Sequence, residues 1–274
     1  MKERRPQVTQ VSSGTGNSQC RGARVAFFGG SFDPPHLGHL AVARAARDAL
    51  RLDRVLFAPV GAQPLKPEGS SAPFADRVAM TELAIADEPG FEISLADAPN
   101  SGGRPNYTLE TLRQLRAGLP AHGCLFCMMG ADSFAGLRRW RGAAQIPFAA
   151  SLVVASRPGQ QLDDLVQFLP RGLTFEPRDS AIRSEYAAVD EPNDLHQASF
   201  AVPMASPSPI ELRSYRIRNP AGEIAAFYVL PDLDVEISAS DIRLQIRSSS
   251  EQAAVSQSLP APVAAYIRTH GLYR

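Results

Sequence analysis

The 274-residue chain has 28 Lys and Arg residues against 28 Asp and Glu residues, so its formal net charge is zero. It lacks the basic surplus of general nucleic-acid binders, and we expect no nucleic-acid partner. Hydrophobic residues make up 44% of the sequence, enough for a sizeable globular core. No run approaches the ~20 apolar residues of a membrane span, and the N-terminal region has no signal-peptide core. We therefore expect a cytoplasmic protein without a membrane partner.

The cysteine content argues against an oxidised scaffold. Cys20, Cys124 and Cys127 do not make a disulfide framework. The last two lie three residues apart in an apolar run, and in a strand they would point to opposite faces. We therefore expect two small buried residues there rather than a redox or metal centre.

Along the chain, a polar stretch at 1–22 predicts a disordered tail, and apolar runs then alternate with amphipathic segments. The predicted strands cover 24–29, 54–60, 91–95, 124–130 and 151–157. The predicted helices cover 37–52, 74–87 and 107–118. This alternation predicts a Rossmann-like α/β fold, doubly wound, with a mostly parallel sheet and helices on both faces. Ligands bind such sheets beyond the carboxyl ends of the strands, so the loops after Phe28, Val60 and Met129 are candidate sites.

The pattern weakens between about 160 and 233. Scattered short apolar runs there predict an insertion with short strands rather than another βαβ unit. Order returns with two predicted helices, at 238–250 and 260–274. The second has Pro near its start and Gly271 past its end.

The segment GGSFDPPHLGH, which follows the first strand, is the most informative one. The pair Gly29 and Gly30 lets the backbone approach a ligand closely. His36 and His39 open the next helix and share one face, at an end where free N–H groups favour phosphate. Gly38 between them removes a side chain where a nucleotide would fit. The alternatives are a tight turn with packed histidines or a metal site, and the latter lacks the carboxylate of an H-E-x-x-H motif.

This segment resembles the signature of the nucleotidyltransferase superfamily, whose core is His-x-Gly-His. The resemblance implies that His36 and His39 contact the phosphates of ATP and stabilise the leaving pyrophosphate. Preorganised N–H donors suit such a transfer, which needs no protein nucleophile. By the same resemblance, further ATP-binding residues are Gly29, Gly30, Ser31, Phe32 and Gly38.

The segment ISASDIR near the C-terminus combines hydroxyls, a helix start and a guanidinium. Ser238 and Asp241 have capping-box spacing, and alone they would indicate an ordinary capped helix. The stretch also resembles the superfamily's second signature, I-S-x-[ST]-x-I-R. That match implies that Ser238, Ser240 and Arg243 hold the triphosphate from the side opposite the histidines.

Further stretches resemble the bacterial nicotinate-nucleotide adenylyltransferases. PNYTLETL implies that Tyr107 and Thr108 meet the nicotinate carboxylate, largely through backbone. GADSF implies that Gly130 and Asp132 face the adenosine ribose, and Trp140 stands where an aromatic ring stacks on the pyridine. The mononucleotide-binding residues implied are Tyr107, Thr108, Trp140 and Arg77, the last of which would pair with Asp33 or reach phosphate.

Three features depart from that family. The second loop has Gln63-Pro64-Leu65-Lys66 where the family usually has Pro-Pro-His followed by Lys or Arg. The His is missing, but Lys66 can still supply a cation, and the resemblance implies a catalytic role for it. Arg141 replaces the aromatic residue that often follows the stacking Trp. The stretch from Gly159 to Leu233 is longer than the family leads us to expect.

The sequence therefore predicts one nucleotidyltransferase domain over 23–274. The expected reaction joins ATP and nicotinate mononucleotide into deamido-NAD and pyrophosphate, with Mg²⁺ carried on ATP and no metal site of the protein's own. One alternative is adenylyl or cytidylyl transfer to another acceptor, such as nicotinamide mononucleotide, phosphopantetheine or a phosphate sugar. The others are a non-catalytic nucleotide sensor and an RNA-binding or transcriptional protein. The partners would be the two nucleotides, with a possible homo-oligomer.

Overall fold

The computed structural model describes residues 20–65, 68–156, 165–177, 212–230, 237–248 and 257–274. Its strands are β1 (Arg24–Gly30), β2 (Arg54–Pro59), β3 (Phe91–Ile93), β4 (Cys124–Gly130), β5 (Ser151–Ala155), β6 (Thr174–Pro177), β7 (Arg213–Arg218) and β8 (Ile224–Leu230). Its helices are α1 (Leu37–Leu50), α2 (Phe74–Ile85), α3 (Thr108–Ala117), α4 (Ala131–Ala135), α5 (Ile146–Ala149), α6 (Ala239–Arg247) and α7 (Ala261–His270). Two 3₁₀ turns, Leu137–Arg139 and Ala143–Gln145, follow α4. None of the helices in these ranges is both long and apolar enough to cross a membrane.

The eight strands form one sheet in the order β3-β2-β1-β4-β5-β8-β7-β6. Strands β1 to β5 and β8 pair in parallel, whereas β7 is antiparallel to both of its neighbours. From β1 the chain builds outward through β2 and β3, then returns to place β4 and β5 on the other side. The strand order therefore reverses between β1 and β4, and a ligand crevice is expected at the carboxyl ends of these two strands.

The two faces of the sheet carry separate apolar cores, as the predicted doubly wound architecture requires. Phe28 packs in the core beneath α1, α2 and the C-terminal helices, and its neighbour Phe27 packs in the core beneath α3 to α5. This opposition follows from the alternation of side chains along a strand. The predicted α/β fold with helices on both faces is confirmed.

The region predicted as an insertion contributes three strands to this same sheet. β8 lies directly beside β5, with Val154 opposite Val229, and is part of the parallel array. Phe227 and Val229 face one core and Tyr228 and Leu230 face the other, which explains the continuous apolar run of this strand. Strands β6 and β7 extend the sheet beyond it as an antiparallel edge.

The cysteine expectation was wrong for one pair. Cys20 and Cys124 are joined by a disulfide, so part of the stretch assigned to the polar tail is attached to the first residue of β4. Cys127 is free and buried on the opposite face from Cys124, as strand alternation predicted. Spacing along the chain carried no signal for a bond between residues 104 positions apart.

We expect Phe227→Ala to lower the free energy of unfolding by about 3–5 kcal/mol, because it leaves a cavity in a closely packed core. The matched control on the same strand is Ile224→Ala, whose side chain is 43% exposed and should cost under about 0.5 kcal/mol. Urea denaturation of both variants measures the difference. Equal losses would mean that β8 is not an integral part of the core.

Candidate active site

A cleft opens at the carboxyl ends of β1 and β4, where the strand order reverses. It has two compartments: a first compartment of about 1140 Å³ and a second compartment of about 560 Å³. They share a wall, formed by Gly29, Gly30, Ser31, Met129, Asp132 and Ser133. Two ligands seated side by side would therefore meet at the loop after β1.

The loop after β1 places both predicted histidines at the start of α1. His36 is the N-cap residue, and its backbone N–H donates to Nδ1 of His39 at 3.2 Å. The ring centroids are 3.7 Å apart, and both residues line the first compartment. Since Nδ1 of His39 accepts a hydrogen bond, the proton of a neutral His39 ring sits on Nε2. That N–H is then a fixed donor.

Burial controls the charge of this pair. It lowers the pKa of His36 to about 4, and burial together with the neighbouring His36 lowers the pKa of His39 well below its ordinary value. Both rings are therefore neutral at pH 7 and act as hydrogen-bond donors rather than as cations. Nδ1 of His36 is buried and has no hydrogen-bond partner among the described residues.

The last two residues of β1, Gly29 and Gly30, lie close to aromatic rings. A Cβ on Gly29 would lie 2.7 Å from the Phe27 ring, and one on Gly30 would lie 3.2 Å from the Phe32 ring. Phe32 itself has a left-handed φ of 46° and is 1% exposed. Its ring packs edge-on against the His39 ring, with centroids 5.0 Å apart, and so restricts the position of that ring. Phe32 also lines the first compartment.

The start of α6 reaches the same compartment from the far end of the chain. Ser238 is the N-cap residue, Ser240 lies in the first turn, and both line the first compartment with Arg243. Arg243 donates from Nη1 to the backbone oxygen of Asp33 at 2.7 Å and from Nη2 to Oγ of Ser240 at 3.1 Å. The two predicted phosphate motifs therefore face one cavity, although about 200 residues separate them.

Ser238 and Asp241 have the spacing of a capping box, but Ser238, the N-cap residue, makes no side-chain capping hydrogen bond. The Ser238 hydroxyl is not used for capping and lies in the cavity wall.

Asp33 connects the histidine loop to distant segments, although it was predicted only as a partner of Arg77. Its carboxylate accepts the backbone N–H groups of Ser71 at 2.6 Å and Ala72 at 3.0 Å, and the hydroxyl of Tyr273 at 2.8 Å. Burial, together with the adjacent carboxylate, raises the pKa of Tyr273, so its hydroxyl remains a donor. Tyr273, near the C-terminus, thus helps to hold the loop between β1 and α1.

Arg77, predicted to bind the mononucleotide, lies elsewhere in the structure. It is 2% exposed and donates to the backbone oxygens of Ser31 at 2.6 Å, Val60 at 2.8 Å and Ala72 at 3.2 Å. It lies outside the described lining of both compartments. Its fork of donors is used on carbonyls, so it holds the loops after β1 and β2 together rather than reaching a phosphate or pairing with Asp33.

The second compartment gathers the residues predicted for the mononucleotide. Tyr107 is the N-cap residue of α3, Thr108 is its first helical residue, and Trp140 follows the first 3₁₀ turn. All three line this compartment. The predicted ribose residues Gly130 and Asp132 lie at the start of α4 and line the first compartment, so the structure brings both groups to one cleft.

Two residues of the second compartment were missed from the sequence. Gln63 donates from Nε2 to Oγ of Ser31 at 2.9 Å, at the boundary between the compartments. Asp97 is 4% exposed and accepts a hydrogen bond from the Thr111 hydroxyl, and burial raises its pKa. Both residues lie near family motifs along the chain, but that proximity alone did not indicate that they line the site. Lys66 lies outside the described residues.

The class of protein follows from this geometry and from the family model that it matches. The described fold brings the two predicted phosphate motifs to one cavity, with a second compartment beside it. Residues 27–245 match the family model described as cytidylyltransferase-like. The chain is therefore a nucleotidyltransferase.

Relatives narrow the class to one family. A relative from Roseiflexus sp. strain RS-1, named "probable nicotinate-nucleotide adenylyltransferase", is 35% identical over 92% of this chain and 98% of its own length. A relative of the same name from Stenotrophomonas maltophilia is 36% identical over 90% of this chain and 96% of its length. The chain belongs to the nicotinate-nucleotide adenylyltransferase family.

A solved structure has the same fold. The Plasmodium falciparum nicotinic acid mononucleotide adenylyltransferase, complexed with NaAD, superposes with a TM-score of 0.61 and covers 92% of this chain and 97% of its own. The two sequences are 13% identical, so the likeness concerns the fold alone.

We expect the buried histidine to make stability depend on pH. The unfolded chain binds a proton on His36 below pH ~6.5, whereas the folded protein does so only near pH 4. Stability is therefore lost as the pH falls through this window, by up to about 3 kcal/mol for this residue. His36→Asn, which keeps an N-cap side chain, should not show that loss. The measurement is the difference between wild type and variant in urea denaturation from pH 7 to 4, and a difference that does not change with pH would contradict the assignment.

Proposed function

We propose that the chain transfers the adenylyl group of ATP to nicotinate mononucleotide, forming deamido-NAD and pyrophosphate in NAD biosynthesis. The observation that carries this proposal is the shared wall of the two compartments. A triphosphate fits between the histidines and the start of α6, and an acceptor fits against Trp140. Their phosphates would then meet beside Gly29, Gly30 and Ser31.

ATP would occupy the first compartment. His36 and His39 face its triphosphate from one side, and Ser238, Ser240 and Arg243 face it from the other. The free N–H groups at the starts of α1 and α6 favour an anion at the same place. Gly130 and Asp132 would contact the adenosine ribose.

The reaction would be an in-line displacement. A phosphate oxygen of the mononucleotide attacks the α-phosphorus, a new P–O bond forms, and the bond to the β-phosphate oxygen breaks. The leaving pyrophosphate keeps the bonding electron pair. His39 and His36 donate hydrogen bonds to it, while Arg243, Ser240 and Lys66 compensate its growing charge, so no protein nucleophile takes part.

Mg²⁺ would enter as part of the ATP substrate. Within the described ranges, no group of three His, Cys, Asp or Glu side chains is arranged to hold a metal ion. A triphosphate supplies the oxygen ligands that Mg²⁺ prefers, and the ion commonly keeps several waters.

The mononucleotide would occupy the second compartment. Trp140 offers a ring for stacking on the pyridine, and the start of α3 at Tyr107 and Thr108 offers backbone N–H groups for its carboxylate. A volume of about 560 Å³ is within the range of small-molecule sites.

We expect His39→Ala to lower kcat by ~10²-fold or more, because it removes a donor that is fixed before the reaction begins. Pyrophosphate release with ATP and nicotinate mononucleotide is the readout. His122→Ala is the control, since that histidine is exposed and its side chain lies outside both compartments. A folded His39→Ala protein with near-normal turnover would refute the role of this residue.

The choice of acceptor can be tested with a panel of phosphate compounds. With ATP as donor, we expect a higher kcat/KM for nicotinate mononucleotide than for nicotinamide mononucleotide or phosphopantetheine. A protein that binds ATP but releases no pyrophosphate with any of them would be a nucleotide sensor, and the proposed reaction would be rejected.

A further inference from the structure

Arg141 stands at the end of the second compartment where α3 begins. Its guanidinium lies over the Tyr107 ring, 4.6 Å from the centroid, and Nη1 is 3.5 Å from Oε1 of Glu110. Both Tyr107 and Arg141 line the compartment. The stacking contact and the ion pair hold this cation beside the first turn of α3.

The charges around the second compartment are unevenly placed. Its described lining contains two guanidinium groups, Arg139 and Arg141, and two carboxyl groups, Asp97 and Asp132. Asp132 lies at the wall shared with the first compartment, and the Asp97 carboxyl is buried and accepts the Thr111 hydroxyl. The cation at the Tyr107 end is Arg141, whose partner Glu110 lies outside the described lining, and the start of α3 adds the partial positive charge of a helix N-terminus.

The two arginines differ in position. Nη2 of Arg139 lies 3.4 Å from the point where a Cβ on Gly136 would be, on the side of α4. Arg141 instead contacts Tyr107, which is the N-cap residue of α3. Of these two arginines, Arg141 is the one with a ring contact and an ion pair to residues that begin α3.

An acid and an amide of pyridine have nearly the same shape, so a pocket separates them poorly by fit. They differ in charge, because a carboxyl group with an ordinary pKa is ionised at pH 7 and an amide is neutral. A guanidinium forms charge-assisted hydrogen bonds with a carboxylate and gains nothing comparable from an amide.

We propose that Arg141 is a specificity-determining residue, whose guanidinium selects a mononucleotide with a carboxylate on its ring over one with an amide. This inference rests on the proposed function, since it places the acceptor ring in the second compartment. Tyr107 and Glu110 set the position of the cation, and the backbone N–H groups at the start of α3 share the carboxylate with it.

The experiment compares kcat/KM for nicotinate mononucleotide and nicotinamide mononucleotide, with pyrophosphate release as readout. Arg141→Met removes the charge and keeps most of the apolar stem, and Arg141→Lys keeps the charge. The matched control is Arg113→Met on α3, because Arg113 is exposed, bonds to Gln145 and lies outside the described lining of both compartments.

We expect Arg141→Met to lower the acid-to-amide ratio of kcat/KM about tenfold, which is the usual scale of one charge-assisted hydrogen bond at a partly exposed site. Arg141→Lys should restore part of the ratio, and Arg113→Met should leave it unchanged. An unchanged ratio in Arg141→Met, or an equal loss with both acceptors, would overturn the inference. If the wild type used neither acceptor, the proposed function itself would fail, and the two failures are thus distinguishable.

Discussion

The position of the histidines depends on the hydrogen bonds around Asp33. Its backbone oxygen accepts from Arg243, and its carboxylate accepts from the Tyr273 hydroxyl and from the backbone just before α2. The donors come from two regions, the segment before α2 and the C-terminal helices with the residues that follow them. Asp33 is 5% exposed, so losing these donors would leave a buried carboxylate poorly hydrogen-bonded, which is costly. The loop that begins α1 is therefore held in place by contacts with both regions.

Burial also decides the charge of the two imidazoles. A buried imidazolium pair 3.7 Å apart would repel itself and lose its hydration, so both rings are neutral. Neutral N–H donors still stabilise a developing negative charge when their orientation is set in advance. Among the described residues that line this cavity, the cationic side chain is Arg243, which is held by Asp33 and Ser240.

The sequence predicted the parallel sheet well, since runs such as 124–130 have strong local patterns, and it predicted which motifs would share the cleft through the family resemblance. The sequence did not predict features that depend on contacts between residues far apart along the chain. Arg77 has the charge of a phosphate ligand, but its burial under the loops after β1 and β2 assigns it to carbonyl groups. The run at 224–230 gave no indication of pairing beside β5, and the cysteine content gave none of the Cys20–Cys124 bond.

Arginine in this protein shows how burial decides the function of one residue type. Arg77 is enclosed, and each of its guanidinium nitrogens donates to a backbone oxygen, so it stabilises the loops. Arg243 is partly enclosed: two of its nitrogens donate to Asp33 and Ser240, and it lines the cavity. Arg141 is exposed, and within the part of the chain that the structure describes it contacts the Tyr107 ring and the Glu110 carboxylate. An exposed guanidinium contributes less to folding than a buried one and is freer to discriminate between ligands. We therefore expect specificity to depend on residues at the rim of this cleft and catalysis to depend on residues at its floor.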